Sequence, residues 1–245
     1  MKALFVTGTD TGCGKTEVSL GLMAAWQARG LRVLGMKPVA TGCHPGHSGL
    51  RNEDALRLQH QGSSEAPYGL VNPYTFEHPI APHIAAGQAG VEIELASIAS
   101  AYRRLAAESD RVLVEGIGGW RVPLGSSLSV SDIPKALKLP VLLVVGLRLG
   151  CLNHALLTME SIRAQGSYLA GWVANGIDPK MQASDANLAT LAALMGAACI
   201  GVIPWLSQPG PEALAAYLNP HLLTNPPRAR RQADSRNPAG AAGTG

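Results

Sequence analysis

The sequence predicts an α/β fold, a mostly parallel β-sheet with helices on both faces. Three observations carry that expectation. Short apolar runs recur along the chain, segments of helical periodicity separate them, and a glycine-rich turn joins the first run to the first helix. Parallel strands covered on both sides read as near-continuous apolar runs, and their alternation with helices is the pattern of a layered α/β sheet.

Taken in order, the expected strands cover residues 4–6, 33–37, 112–115, 141–145, 169–173 and 199–203. The expected helices cover 15–29, 93–108, 153–165 and 186–195. Three of these helices stop at a glycine, Gly30, Gly166 or Gly196, the residue that most readily takes the left-handed turn after a helix. In such folds the chemistry gathers at the carboxyl ends of the strands, so the residues just after each run are the first candidates for a site.

A chain of 245 residues buries one substantial core and is too short for two large enzymatic domains. One domain is expected over residues 1–224. Residues 225–245 are rich in Pro, Ala, Gly and Arg without an apolar period, and are expected to form a dispensable disordered tail. That stretch holds four arginines and one acid, leaving 16 basic and 16 acidic residues elsewhere. A neutral body has no net field drawing it to nucleic acid or anionic lipid, and two phenylalanines make a poor stacking platform for bases. The amino end turns polar too soon for a secretory signal, and the longest apolar stretch, 141–147, is too short to cross a bilayer. A soluble cytoplasmic protein is expected. The cysteines at 13, 43, 151 and 199 form no C-x-x-C pair, so they read as reduced thiols. His44 and His47, in the glycine-rich stretch 42–53, have no companion ligands and read as solvated loop residues.

The turn after the first strand is Gly8-Thr9-Asp10-Thr11-Gly12-Cys13-Gly14-Lys15-Thr16. A strand, a glycine-rich loop, Gly-Lys-Thr and a helix form the context of a phosphate-binding loop, and they make the fold P-loop NTPase-like. The backbone amides cradle phosphate, Lys15 neutralises it, and the Thr16 hydroxyl suits Mg²⁺. Five residues separate Gly8 from Gly14, where the usual pattern has four. Glu115 closes the third strand beside Gly116 and Gly118, as a second acid of a nucleotide site would. Asp54 reads either as a further acid or as a helix cap. Lys37, at the end of the second strand, either aims its charge at the same sheet edge or is an ordinary surface lysine; on the first reading its removal is expected to cost turnover with little effect on stability.

The order of Val6-Thr7-Gly8-Thr9-Asp10-Thr11, Lys37-Pro38-Val39, Val114-Glu115-Gly116 and Leu149-Gly150-Cys151-Leu152-Asn153-His154 resembles the dethiobiotin synthetase family. The likeness continues through Val71-Asn72-Pro73-Tyr74, Pro82-His83, Gly171-Trp172-Val173-Ala174-Asn175 and Ile203-Pro204-Trp205-Leu206, covering residues 1–223. The lengthened phosphate loop is itself a feature of that family.

The resemblance implies an ATP-dependent ligase of biotin biosynthesis that joins CO₂ to 7,8-diaminononanoate and closes the ring, through a carbamate and a carbamic-phosphoric anhydride. It implies ATP contacts at Gly12, Cys13, Gly14, Lys15, Thr16, Glu17, Asp54, Glu115, Gly116 and Gly118. Adenine falls near Asn175, Pro204, Trp205 and Leu206, with Glu212 beside them, although Trp205 also reads as a core aromatic. Mg²⁺ falls to Thr16, Asp54 and Glu115, and catalysis to Lys37 and Lys15. Thr41 and Gly118 would touch the diamine or carbamate. Gly150, Cys151, Leu152 and Asn153 would receive its distant carboxylate from the partner subunit of a homodimer, although the same segment reads equally as an ordinary helix start.

Three positions depart from relatives. Gly176 stands where Asp is frequent, Asn187 where some carry a substrate-reaching tyrosine, and Gly12 where some carry Glu. Two rival functions share the fold. A partitioning-type ATPase carries a lysine at the position that is Asp10 here, and a cobyrinic-acid amidase needs a glutaminase domain for which residues beyond 224 leave no room.

Overall fold

The computed structural model describes residues 1–46 and 48–226; His47 and residues 227–245 of the expected tail lie outside the described residues. The chain opens with β1 (Ala3–Gly8), α1 (Lys15–Gln27), β2 (Val33–Met36) and β3 (Val39–Ala40). A hairpin of β4 (His44–Gly46) and β5 (Gly49–Arg51) leads to α2 (Glu53–His60), α3 (Tyr68–Val71), β6 (Tyr74–Thr75), α4 (Pro82–Gln88) and α5 (Leu95–Glu108). Then follow β7 (Arg111–Gly119), α6 (Asp132–Leu137), β8 (Val141–Leu147), α7 (Cys151–Ala164), β9 (Leu169–Gly176), α8 (Ser184–Leu194), β10 (Cys199–Ile203) and α9 (Pro211–Ala215).

Six strands form one parallel sheet in the order β10-β9-β8-β1-β7-β2. Alternate residues of each strand feed two cores. Phe5, Val112, Val114, Leu143 and Val145 pack on one face with Ile98 of α5, Ile133 of α6, Ala155 and Ile162 of α7 and Leu191 of α8. Leu4, Val6, Leu113, Leu142 and Val144 pack on the other with Val18, Leu22 and Met23 of α1, Leu58 of α2 and Leu214 of α9. Both faces are therefore covered by helices, which is why the strands carry apolar residues continuously rather than in alternation.

The register positions the chemistry. Val6 of β1 lies level with Glu115 of β7, and Met36 of β2 with Val114. Lys37, one step beyond Met36, thus emerges beside Glu115 at the carboxyl edge, where β1 also releases the phosphate loop. Pro38 cannot donate to a ladder, and the strand stops there.

The expected six strands all occur, several a few residues longer than their apolar runs. The helix expected to begin at 93 begins at Leu95, and the one expected at 153 begins at Cys151. His44 sits exposed in the small hairpin, and no group of three or more His, Cys, Asp or Glu able to hold a metal occurs among the described residues. No helix among them is long and apolar enough to cross a membrane.

Candidate active site

At the carboxyl edge of the sheet a cavity of about 700 Å³ opens between the phosphate loop, the end of β2, the start of α2 and the β7 end. Gly12, Gly14, Lys15, Thr16, Glu17, Lys37, Thr41, Asp54 and Gly118 all line it. Ile80, Pro82, Ile117 and Val122 supply apolar wall.

The loop reaches α1 through Gly14, whose φ of 86° lies in the left-handed region. A side chain there would fail twice over, since a Cβ would also stand 2.0 Å from the Asn175 side-chain nitrogen. That nitrogen donates to the Cys13 carbonyl at 3.0 Å, tying β9 to the loop. Cys13 itself is buried in the core behind the loop, so only its backbone is offered to a ligand. Lys15 Nζ donates to the Asp10 carbonyl at 3.0 Å, lying back across the loop. Asp10 accepts from the Thr11 amide and pairs with Arg148 after β8. The free amides at the start of the thirteen-residue α1, with its dipole behind them, make this end a natural anion seat.

Beside the loop lies a compact charged cluster. Lys37 Nζ donates to Glu115 Oε1 at 2.6 Å and to Asp54 Oδ2 at 2.8 Å, and the Thr16 hydroxyl donates to Glu115 Oε1 at 3.0 Å. Burial alone would lower the Lys37 ammonium, yet Glu115 and Asp54 outweigh it and hold the group above its ordinary value. Burial likewise pushes the Asp54 carboxyl up, and the Lys37 charge and hydrogen bond outweigh it and hold Asp54 below the usual range. Lys37 therefore carries its charge at neutral pH.

Glu115 is 0% exposed, and its second oxygen, Oε2, has no hydrogen-bond partner among the described residues. An orphaned buried carboxylate oxygen is costly unless something else satisfies it. Two carboxylates and one ammonium leave the cluster one negative charge in excess. With the Thr16 hydroxyl, Asp54 and Oε2, the set offers a few hard oxygens, the donors Mg²⁺ takes while keeping other positions for phosphate and water.

Several expectations change here. Lys37 is 4% exposed and sits in a buried ion pair, so its loss strands Glu115 without a counter-charge and must cost stability, contrary to the expectation from sequence. Asp54 is not the cap of α2; Asn52 is, its side-chain oxygen accepting from the Ala55 amide at 3.2 Å. Trp205 is 52% exposed and so is not a core aromatic. Gly116 packs within β7 against Phe5 and Val130 and does not reach the cavity wall.

The remaining candidates stand outside the cavity lining. Asn175 lies near the end of β9 behind the loop, Pro204, Trp205 and Leu206 follow β10, and Glu212 is exposed in the first turn of α9. Gly176 explains itself locally, since a Cβ there would meet the Trp205 backbone nitrogen at 2.7 Å. Gly150 caps α7 without a side-chain bond; Cys151 is buried behind it, Leu152 half-buried and Asn153 exposed. Asn187 donates its side-chain amide to the Ala183 carbonyl within α8.

Sequence reasoning did not find Arg57, which grips Glu17 with two hydrogen bonds at the cavity mouth, nor Arg148 beside Asp10. The one available signal for Arg57 was its place one helical turn after Asp54.

Comparison with known proteins accords with this geometry. Residues 2–213 match the family model described as an AAA domain. The chain is 51% identical over 220 residues to the ATP-dependent dethiobiotin synthetase of Pseudomonas aeruginosa, covering 89% of this chain and 96% of that protein. It is 50% identical over 218 residues to the synthetase of the same name from Cellvibrio japonicus, again covering 89% and 96%. For the Xanthomonas euvesicatoria protein of that name, the identity is 48% over 213 residues, covering 87% and 94%. Among solved structures, the MinC:MinD cell division protein complex of Aquifex aeolicus shares the fold with a TM-score of 0.53 at 17% identity, covering 83% of this chain and 81% of that one. The cell division protein FtsY of Thermotoga maritima shares it at 0.50 and 17%, covering 91% and 69%.

Proposed function

The chain belongs to the ATP-dependent dethiobiotin synthetase family, and from that premise we propose how its residues divide the reaction. It is an ATP-dependent ligase of biotin biosynthesis: CO₂ adds to an amine of 7,8-diaminononanoate as a carbamate, ATP phosphorylates the carbamate, and the second amine closes the ring. Dethiobiotin, ADP and phosphate leave. The observation that carries this reading is the meeting, in one cavity, of a phosphate loop with a buried, cross-paired lysine.

The difficult step brings a carbamate oxygen to the γ-phosphoryl group, so two anions must approach. Lys15 and Lys37 offset that repulsion as the catalytic cations. Lys37 is held between Glu115 and Asp54, so its ammonium is already in place when charge develops, and a cation fixed in a water-poor site is worth several kcal/mol more than one that must reorganise. The loop from Gly12 to Glu17 seats the phosphates, with Gly118 along its flank. Thr16, Asp54 and Glu115 would hold Mg²⁺, which would supply positive charge to offset that of the phosphates. Thr41 and Gly118 contact the diamine or carbamate. The apolar wall of Ile80, Ile117 and Val122 suits the substrate's methylene chain.

Asn175, Pro204, Trp205, Leu206 and Glu212 flank the loop on the side opposite α2 and take the adenine. The 52% exposure of Trp205 supports that assignment by leaving part of an aromatic residue open to a ligand. Gly150, Cys151, Leu152 and Asn153 take the distant carboxylate, but in the neighbouring subunit of a homodimer. Leu149 beside them is 97% exposed, so that helix start is open for a second copy to reach. The enzyme acts in the cytoplasm on small molecules, with neither nucleic acid nor membrane as partner. The likeness to a MinD complex concerns the fold alone, and Asp10 occupies the position of a partitioning ATPase's signature lysine.

The test is product identity. Protein incubated with the diamine, bicarbonate and MgATP should yield dethiobiotin by mass together with ADP. ADP and phosphate released without dethiobiotin would refute the reading.

A further inference from the structure

An ion pair lining the cavity joins Glu17, the last residue of the segment proposed to seat the phosphates, to Arg57, which none of the steps above uses. Arg57 of α2 donates to both carboxylate oxygens of Glu17 of α1, at 2.7 and 2.9 Å, and both residues line the cavity alongside Thr16 and Asp54. Position along the two helices gives the pair its meaning. Thr16 and Glu17 are consecutive in α1, whereas Asp54 and Arg57 are three apart in α2 and so lie one above the other on one helical face. Each helix thus brings one candidate cation donor and, next to it, one half of the Arg57–Glu17 pair. Both donors also touch the centre of the cluster, Asp54 through Lys37 and Thr16 through Glu115.

With side chains 37% and 31% exposed, such a pair adds little to overall stability. What a planar two-bond fork does supply is a fixed separation and orientation between the backbones that carry it. We propose that Arg57 and Glu17 are positioning residues, a clamp that sets the spacing between Asp54 on α2 and Thr16 on α1 and thereby the affinity of the site for a divalent cation. This rests on the reading of Thr16, Asp54 and Glu115 as that cation's donors.

The sign of the effect separates a clamp from plain electrostatics. Arg57→Gln removes a positive charge beside a cation site and frees Glu17, so Coulomb's law alone predicts tighter cation binding. Loss of the clamp predicts weaker binding. Glu17→Gln weakens it on either account, and the double variant distinguishes them. If the two residues act only through each other, removing both costs no more than removing one.

The experiment follows free Mn²⁺ by electron paramagnetic resonance as it is titrated into full-length protein saturated with a non-hydrolysable ATP analogue, with melting measured in parallel. The clamp predicts a Mn²⁺ dissociation constant raised roughly tenfold in Arg57→Gln, Glu17→Gln and the double variant alike, the scale on which outer-shell partners act. Melting should stay within about 4 °C of the parent. Unchanged or tighter Mn²⁺ binding in Arg57→Gln, or additive losses in the double variant, overturn the clamp while Asp54→Asn still weakens binding. If Asp54→Asn leaves Mn²⁺ binding unchanged, the assignment of the cation donors fails first and the clamp falls with it.

Discussion

At the phosphate end of the proposed site, the carboxyl ends of β1, β2 and β7 and the starts of α1 and α2 bring Lys15, Thr16, Lys37 and Asp54 to a single cavity with the buried Glu115 behind them, and all but Lys15 in that set are joined by hydrogen bonds. At the start of α7, Gly150, Leu152 and Asn153 stand outside that cavity, next to a leucine almost wholly in solvent. The contrast follows from what each end has to do. Phosphoryl transfer needs charges fixed before the reaction begins, and a chain fixes charges by burying them against its own counter-charges. Holding a carboxylate at the end of a methylene chain needs only free helix amides and an apolar rim, which a second copy can supply from its surface.

The largest effect should come from striking the cross-paired end. Lys37→Ala is expected to lower kcat by about 10²-fold or more, and to cost about 3–5 kcal/mol of stability because Glu115 is left buried and unpaired. Steady-state turnover and denaturant unfolding of one preparation read both. A variant with normal turnover and normal stability would erase the distinction between the two ends.

A smaller effect should appear with pH. The Asp54 carboxyl is held below its ordinary value in the folded chain, chiefly because Lys37 outweighs the cost of its burial. Its contribution to stability is therefore present above the ordinary carboxylate pKa, about 3.9, and is lost as pH falls through the folded value. Lys37, held above its ordinary value, contributes in full below the ordinary lysine pKa and loses that contribution as pH rises through its own folded value. Urea midpoints measured down the acid limb should fall less steeply in Asp54→Asn than in the parent. Parallel acid limbs would show that Asp54 is not held by Lys37 in solution.

How far the molecule was legible from its residues also differs between regions. The sheet was legible because burial on both faces leaves unbroken apolar runs such as residues 141–145, and α7 because its apolar period ends at a glycine. The short α2 was legible only as one of two readings of Asp54, and with the wrong residue as its cap. It has only Ala55 and Leu58 buried, and its cap, Asn52, lies in a glycine-rich stretch that reads as loop. Within the site, Lys37 was legible as a charge at a strand end, since that edge is where such folds place chemistry. Its burial was not, because the pairs that compensate it join residues 17 and 78 positions apart and leave no local pattern. The Arg148–Asp10 pair, 138 positions apart, was hidden for the same reason.

If the site is shared, the phosphate end of one chain is finished by the α7 start of the other, and a hybrid dimer reads this out. One chain carries Lys15→Met, which disables its own phosphate end; the other carries Leu152→Trp, which blocks the tail pocket it lends. Each parent dimer should be nearly inactive. In the isolated hybrid, prepared by co-refolding differently tagged chains, one site gathers both lesions and the other is whole, so about half of wild-type activity should return. A hybrid no more active than either parent would place the tail pocket within a single chain and rule out the shared site.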